Sequence, residues 1–412
     1  MTARRALIAL AAACLCAGPA GATTFTSRFV GPTRALGDAL SQTVARSLPV
    51  TSASPGLTFS FDPASGAFVR DTDLLGQLYL ERARPIGRGK WNVTVSYQHV
   101  HIDAVQGQDL DSLRDNTLPI ITGGQTNNPG APRGNVLLKF PRYDVGLAVD
   151  EVTLATTYGI TDNLDVNLTL PILVSSFSID ANALTFTRNP NTNGLVPSGR
   201  RGNRFSQGAT TATGVGDLFL RGKYRAYTNS WLEVAGGLVV RMPTGDANNF
   251  QGTGDWELSP LLYLSTRRFP VGGPVELQGF FNGGIDLNID DVDLSEGRFG
   301  AGLDVALGQR ATLSIAFLAR EPFHGFAPAG FFDVPRYNPR TGCPSAPGCT
   351  THPIGPLFGL ESARASYYSL SIGGRVNLWR DTVFGFANVL IPLSDEGIHT
   401  DPIPLVGFEA TF

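Results

Sequence analysis

The chain is poor in charge, sulfur and histidine, and each shortage closes off a class of function. Charged residues are 16% of the 412 positions, where about a quarter is usual for a soluble domain. The formal net charge of -3 offers nothing for nucleic acid to hold. Hydrophobic residues reach 42%, yet beyond the N-terminal leader no run of 18 apolar residues occurs, which excludes membrane-spanning helices. The histidines are five, His99, His101, His324, His352 and His399. No G-x-S-x-G, H-E-x-x-H or phosphate-binding glycine loop accompanies them, and a hydrolase would need a nucleophile, a base and an orienting group converging on one face. No cofactor is implied. What the chain has in quantity is glycine, 48 residues, and phenylalanine, 25, a composition of many strands and turns.

The N-terminus reads as a secretory signal peptide over residues 1–22. Arg4 and Arg5 precede an alanine- and leucine-rich run from Ala6 to Ala17, and Ala20-Gly21-Ala22 supplies the small residues of a cleavage site. Cys14 and Cys16 lack the leucine three residues upstream that a lipidated cysteine calls for. The mature chain keeps Cys343 and Cys349, close together in a Pro/Gly-rich segment, where an oxidising compartment favours a local disulfide.

From Lys90 onward, segments of about ten residues alternate apolar and polar positions, as strands with one lipid-compatible face do. Trp91-Asn92-Val93-Thr94-Val95-Ser96-Tyr97 is one such segment, and Leu164-Asp165-Val166-Asn167-Leu168-Thr169-Leu170 is another. The pattern predicts strands near 90–102, 143–158, 164–175, 214–227, 231–242, 255–265, 274–287, 298–307, 311–320, 366–379, 382–391 and 403–412. Short connections (160–163, 228–230, 267–273, 309–310, 380–381) alternate with mostly long ones (103–142, 176–213, 243–254, 288–297, 321–365, 392–402). The expectation is an all-β, antiparallel, up-and-down transmembrane β-barrel over 90–412, of about twelve strands, with short periplasmic turns and long outer loops. Two further strands, giving fourteen, are available upstream.

Residues 23–89 break the pattern. Thr33 to Ser47 spaces Leu36, Leu40 and Val44 at helical intervals, and 57–70 reads as a hairpin around Asp62-Pro63-Ala64-Ser65-Gly66. This N-terminal extension is a candidate hatch inside the barrel, because Phe59, Phe61, Phe68 and Leu74 need a dry place; a periplasmic extension is the alternative.

Two resemblances follow from specific residues. Gly407, Ala410 and Phe412, with Val406 and Phe408 on the same greasy face as the last two, are similar to the C-terminal recognition signal of bacterial outer-membrane barrels, which makes Gly407, Phe408 and Phe412 a candidate assembly signal for the barrel-assembly machinery. Ile86-Gly87-Arg88-Gly89-Lys90-Trp91, Tyr158 to Val166, Gly214-Val215-Gly216-Asp217-Leu218 and Met242-Pro243-Thr244-Gly245-Asp246 resemble, in that order, a family of outer-membrane transporters of the meta pathway of phenol degradation. That resemblance implies a barrel loosely similar to the fatty-acid and toluene channels, in the outer membrane of a Gram-negative bacterium, that takes up hydrophobic or aromatic small molecules.

Parity places the charged strand residues in the lumen, since an Arg or Lys facing lipid at mid-membrane costs about 2–4 kcal/mol. Arg221, Lys223, Arg225, Arg241, Glu257, Glu276, Asp304 and Arg375 are the candidate solute path, with Arg221, Lys223 and Arg225 as a basic stripe that orients an anionic or phenolic solute. The partners expected are outer-membrane lipid, lipopolysaccharide and a small hydrophobic solute, with Phe323, Phe326, Phe331 and Phe332 as a greasy outer site. A structural or adhesive barrel with a closed lumen is the alternative, and an enzyme acting through His101 or His324 is a rival. His99 and His101 beside Asp103, and the acidic run Asp290, Asp291, Asp293 and Glu296, are the other places to look for bound cations; no metal is assigned.

Overall fold

The computed structural model describes residues 25, 44–50, 52, 59–62, 67–70, 78–105, 107–112, 119–122, 136–188, 195–197, 204–308, 310–324, 332–335, 351–354, 366–379 and 382–412. Twelve long strands form the wall: β1 (Trp91–Val105), β2 (Val136–Gly159), β3 (Leu164–Arg188), β4 (Arg204–Val215, resuming as Leu218–Thr228), β5 (Leu232–Met242), β6 (Glu257–Thr266), β7 (Val275–Asn288), β8 (Glu296–Leu307), β9 (Ala311–Pro322), β10 (Tyr367–Trp379), β11 (Val383–Pro392) and β12 (Ile403–Thr411). Each pairs antiparallel with its predecessor, and β12 returns to β1, so the sheet closes. Closure removes the unpaired edges that a lipid environment would penalise. At the seam Trp91 and Phe412 exchange both backbone hydrogen bonds, 3.1 and 2.8 Å, and Asn92 Nδ2 donates to Thr411 Oγ1 at 2.9 Å.

The barrel is inside-out relative to a soluble domain. Val93, Val95, Leu168, Leu220, Ile315 and Phe408 point out and are exposed, whereas Asn92, Ser96, Asn167, Lys223, Asp304 and Glu409 point in and are buried. One end carries the tight turns at 160–163 and 229–231 and the short connections that follow Leu307 and Trp379. Trp91, Tyr227, Trp231, Phe269, Trp379 and Phe412 ring that end, all exposed. Such a girdle is where amphipathic rings sit at a membrane interface. Trp91 packs on Tyr158 with ring centroids 4.5 Å apart.

Three sequence expectations need correction. The strands β2 and β3 run to 136–159 and 164–188, well past 143–158 and 164–175, and part of the expected loop 176–213 is the first half of β4. Apolar alternation fades above the hydrocarbon layer, but backbone pairing does not need it, so the ladder continues through Ser175, Ser176 and Ser178. The fourteen-strand option fails: Phe59–Asp62 and Ala67–Arg70 form the expected hairpin, but among the described residues they pair only with each other. Of the expected helix, residues 44–47 are helical, and the part before 44 lies outside the described residues.

Candidate functional site

Residues Leu78–Ile86 run against the inner wall. Their backbone joins no ladder, so inward side chains must satisfy it. Asn282 does so twice: its Oδ1 accepts the Glu81 N–H at 2.6 Å and its Nδ2 donates to the Glu81 carbonyl at 2.9 Å. Ser265 Oγ accepts from Ala83 N–H at 2.9 Å, and Asp165 Oδ2 accepts from Ile86 N–H at 3.0 Å. Apolar contacts alternate with these. Leu78 packs on Phe386 and Leu405, Leu80 on Phe280 and Ala316, and Ala83 on Phe219 and Val239. At the rim, a Cβ on Gly159 would collide with the Gly87 carbonyl, so the turn end closes only with glycine there.

The same segment meets the wall's charges. Glu81 lies 3.5 Å from Arg221 and 3.4 Å from Lys223, which also approaches Asp165 at 3.8 Å. Arg84 pairs with buried Glu233, which Arg225 and Arg267 also approach at 3.7 and 3.4 Å. The expected basic stripe Arg221, Lys223 and Arg225 thus lies against carboxylates, and Arg221 also lines the interior cavity. Arg82 is 1% exposed beside Asp304, Arg375 and Glu409. Burial pulls its pKa down to about 10 while Asp304 pushes it up, so it stays charged at neutral pH. Arg375 pairs with Glu409 at 3.3 Å, and Ser314 Oγ donates to Asp304 at 2.7 Å. Glu276 sits apart, paired with Arg268 at 3.0 Å by the turn end.

Toward the loop end, residues 44–50 take over. Arg46 reaches Asp255 at 3.2 Å and Glu257 at 3.1 Å, Arg241 Nη2 donates to the Ala45 carbonyl, and Arg320 Nη1 donates to the Arg46 carbonyl. Arg241 also pairs with Asp217 at 2.8 Å. The Gly214–Leu218 and Met242–Asp246 motifs meet here. Asp217 accepts from Gly245 N–H, Thr253 N–H and Thr253 Oγ1, and Thr244 Oγ1 donates to the Gly216 carbonyl. The break between the two halves of β4 thus clamps the β5–β6 loop. Above it, Phe25 nests between Phe177 and Phe250, with ring centroids at 5.6 and 5.4 Å.

Between these segments and the wall lies a cavity of about 240 Å³. Leu48, Tyr79, Phe219, Tyr263, Leu318 and Tyr367 contribute its apolar surface. Among the described lining residues are also five arginines (46, 221, 241, 298 and 320) and four carboxylates (Glu81, Glu257, Asp286, Glu296). The β6–β7 register passes from Leu258↔Leu287 to Leu261↔Gly284, leaving Ser259 and Pro260 unpaired with Ile285 and Asp286; proline has no N–H to give. Outside this gap is a hollow floored by Gly222, Gly236, Gly237 and Gly284, and cavity and hollow share Leu261 and Gly283 as lining.

Sequence reasoning missed Arg46, Glu81, Arg82, Arg84, Asn282 and Arg298. The run Glu81-Arg82-Ala83-Arg84 was the available signal, since dense alternating charge just before a barrel strand needs counter-charges somewhere. The histidines pair with aspartates, His99 with Asp150 at 2.8 Å, His101 with Asp401 at 2.9 Å and His399 with Asp103 at 2.7 Å. Asp290 and Asp291 accept backbone hydrogen bonds from Trp256 and Asp293. Among the described residues no three His, Cys, Asp or Glu are placed to hold a metal ion. Phe323 is exposed; Cys343, Cys349, Phe326 and Phe331 and the side chain of Phe332 lie outside the described residues.

The fold and the polar lumen define an antiparallel β-barrel of the outer-membrane type. No family model and no curated protein matches the chain. Among solved structures it is similar to an outer membrane channel from Pseudomonas putida F1, with 14% identity, a TM-score of 0.41, and coverage of 80% of this chain and 98% of that one. It is also similar to the toluene transporter of Ralstonia pickettii (10% identity, TM-score 0.34, 79% and 90%) and to a FadL homologue of Pseudomonas aeruginosa (10%, 0.31, 79% and 90%).

Proposed function

We propose that the protein is an outer-membrane channel that passes small hydrophobic or aromatic solutes passively, with residues 23–89 as a hatch in its lumen. The observation that carries this reading is the cavity of about 240 Å³ held between residues 46–50, 52, 79–81 and the wall, walled by aromatic rings yet set among ion pairs. A strut with a closed lumen has no use for a ring-sized void beside a gap in its own sheet. Solute enters from the loop end, rests against Tyr79, Tyr263 and Tyr367, and leaves past Leu261 and Gly283, which line both the cavity and the outer hollow. The exposed apolar belt and the aromatic girdle support the outer membrane as the site, with lipid and lipopolysaccharide around the wall. Phe412 and Phe408 serve the barrel-assembly machinery.

The test is uptake of radiolabelled toluene and phenol by cells with and without the protein. Uptake that rises with the protein, and falls when Gly236 is replaced by leucine to fill the outer hollow, supports the reading. Equal uptake in all three strains removes it.

A further inference from the structure

We infer that the cavity selects aromatic solutes that carry a carboxylate, and that Arg298 is the residue that binds it; the inference rests on the channel reading above. The volume sets the first limit. An apolar void of about 150 Å³ is enough to hold benzene, so about 240 Å³ takes one ring with a small substituent and excludes a second ring.

The polar lining sets the second limit. Four of the five cavity arginines are held: Arg46, Arg241 and Arg320 have carboxylates within 3.2 Å, and Arg221 faces Glu81 beside Lys223. Arg298 differs. Its one ion pair is made through Nε, to Asp286 Oδ1 at 3.5 Å, and its side chain is 37% exposed although it points into the barrel. Its terminal nitrogens make no hydrogen bond among the described residues, so the planar fork that fits a carboxylate bidentately is open toward the void.

Among the described residues, two more donors have no acceptor. Tyr79 Oη and Arg46 Nε are buried without a hydrogen-bond partner, and a buried donor left unmade is costly. Glu257 Oε1 and Asp286 Oδ1 also lack hydrogen bonds, but each already lies against a guanidinium, at 3.1 and 3.5 Å. Among the described residues, the surplus in the cavity is therefore of donors: Tyr79 Oη, Arg46 Nε and the terminal nitrogens of Arg298. At neutral pH a benzoate-type anion complements that surplus; an unsubstituted ring leaves it unsatisfied.

The experiment is calorimetric titration of the full-length protein in detergent micelles at pH 7 and low salt, with benzoate, its neutral isostere benzamide, and benzyl alcohol. Wild type binds benzoate at least tenfold more tightly than benzamide, and added salt narrows the ratio. Arg298→Gln brings the ratio near one, and Asp286→Asn raises benzoate affinity several-fold. A wild-type ratio near one overturns the inference whether or not the variants fold, as does a ratio that survives Arg298→Gln. If benzyl alcohol and benzamide bind as well as benzoate, the selectivity is lost and the channel reading stands; if toluene and phenol uptake do not depend on the protein, the channel reading fails on its own test.

Discussion

Asp217 shows how much one side chain can hold. Its carboxylate takes three hydrogen bonds from the β5–β6 loop and a guanidinium from β5 at 2.8 Å. Asp217→Asn turns an amide toward donors and leaves Arg241 short of charge, so it destabilises the barrel by about 2–4 kcal/mol, read as a lower urea midpoint in micelles with an unchanged slope. Phe412→Ala is expected to lower the amount of folded protein recovered in the outer-membrane fraction, because the ring is 60% exposed and anchors the girdle where β12 meets β1. Unchanged recovery would count against that role. Parity in the sequence was enough to place Asp217, Lys223, Asp304 and Glu409 indoors. It could not place Arg82 or Arg84, because residues outside a strand have no parity, and their partners on β5, β8 and β12 come together only when the sheet closes.

At the scale of elements, the alternation of short and long connections was legible because tight turns have their own chemistry. Asn229 accepts from the N–H groups of Trp231 and Leu232, and Thr161 accepts from Asn163. The upper ends of β2 and β3 were not legible, since pairing there no longer alternates greasy with wet. Nor was the gap between β6 and β7: Pro260 stands in a sequence that reads as a continuous strand, and only the register shows Ser259 and Pro260 left out. The glycines outside that gap lead to a prediction. A Cβ on Gly222 or Gly236 meets nothing within 4 Å, whereas one on Gly284 would collide with the Pro260 carbonyl. Gly222→Leu and Gly236→Leu should therefore fold normally, judged by heat-modifiable migration, and slow toluene uptake; Gly284→Leu should reduce folded protein instead.

The whole molecule closes a polar interior behind an apolar belt and lays residues 44–50 and 78–86 of its own chain against the inner wall. The wall's charges are met by Arg46, Glu81, Arg82 and Arg84 rather than by water alone, so the lumen's electrostatics and its occlusion are one property. Removing the segment has to expose both. The most direct measurement is ion conductance in planar bilayers, comparing the full chain with one lacking residues 23–84, which keeps the Ile86–Trp91 rim that seats β1. The full chain is predicted to pass little steady current and the shortened chain a large one, strongly dependent on salt as its unpaired lumen charges are screened. Equal currents from the two would contradict a hatch in the lumen, and no current from either would contradict the channel.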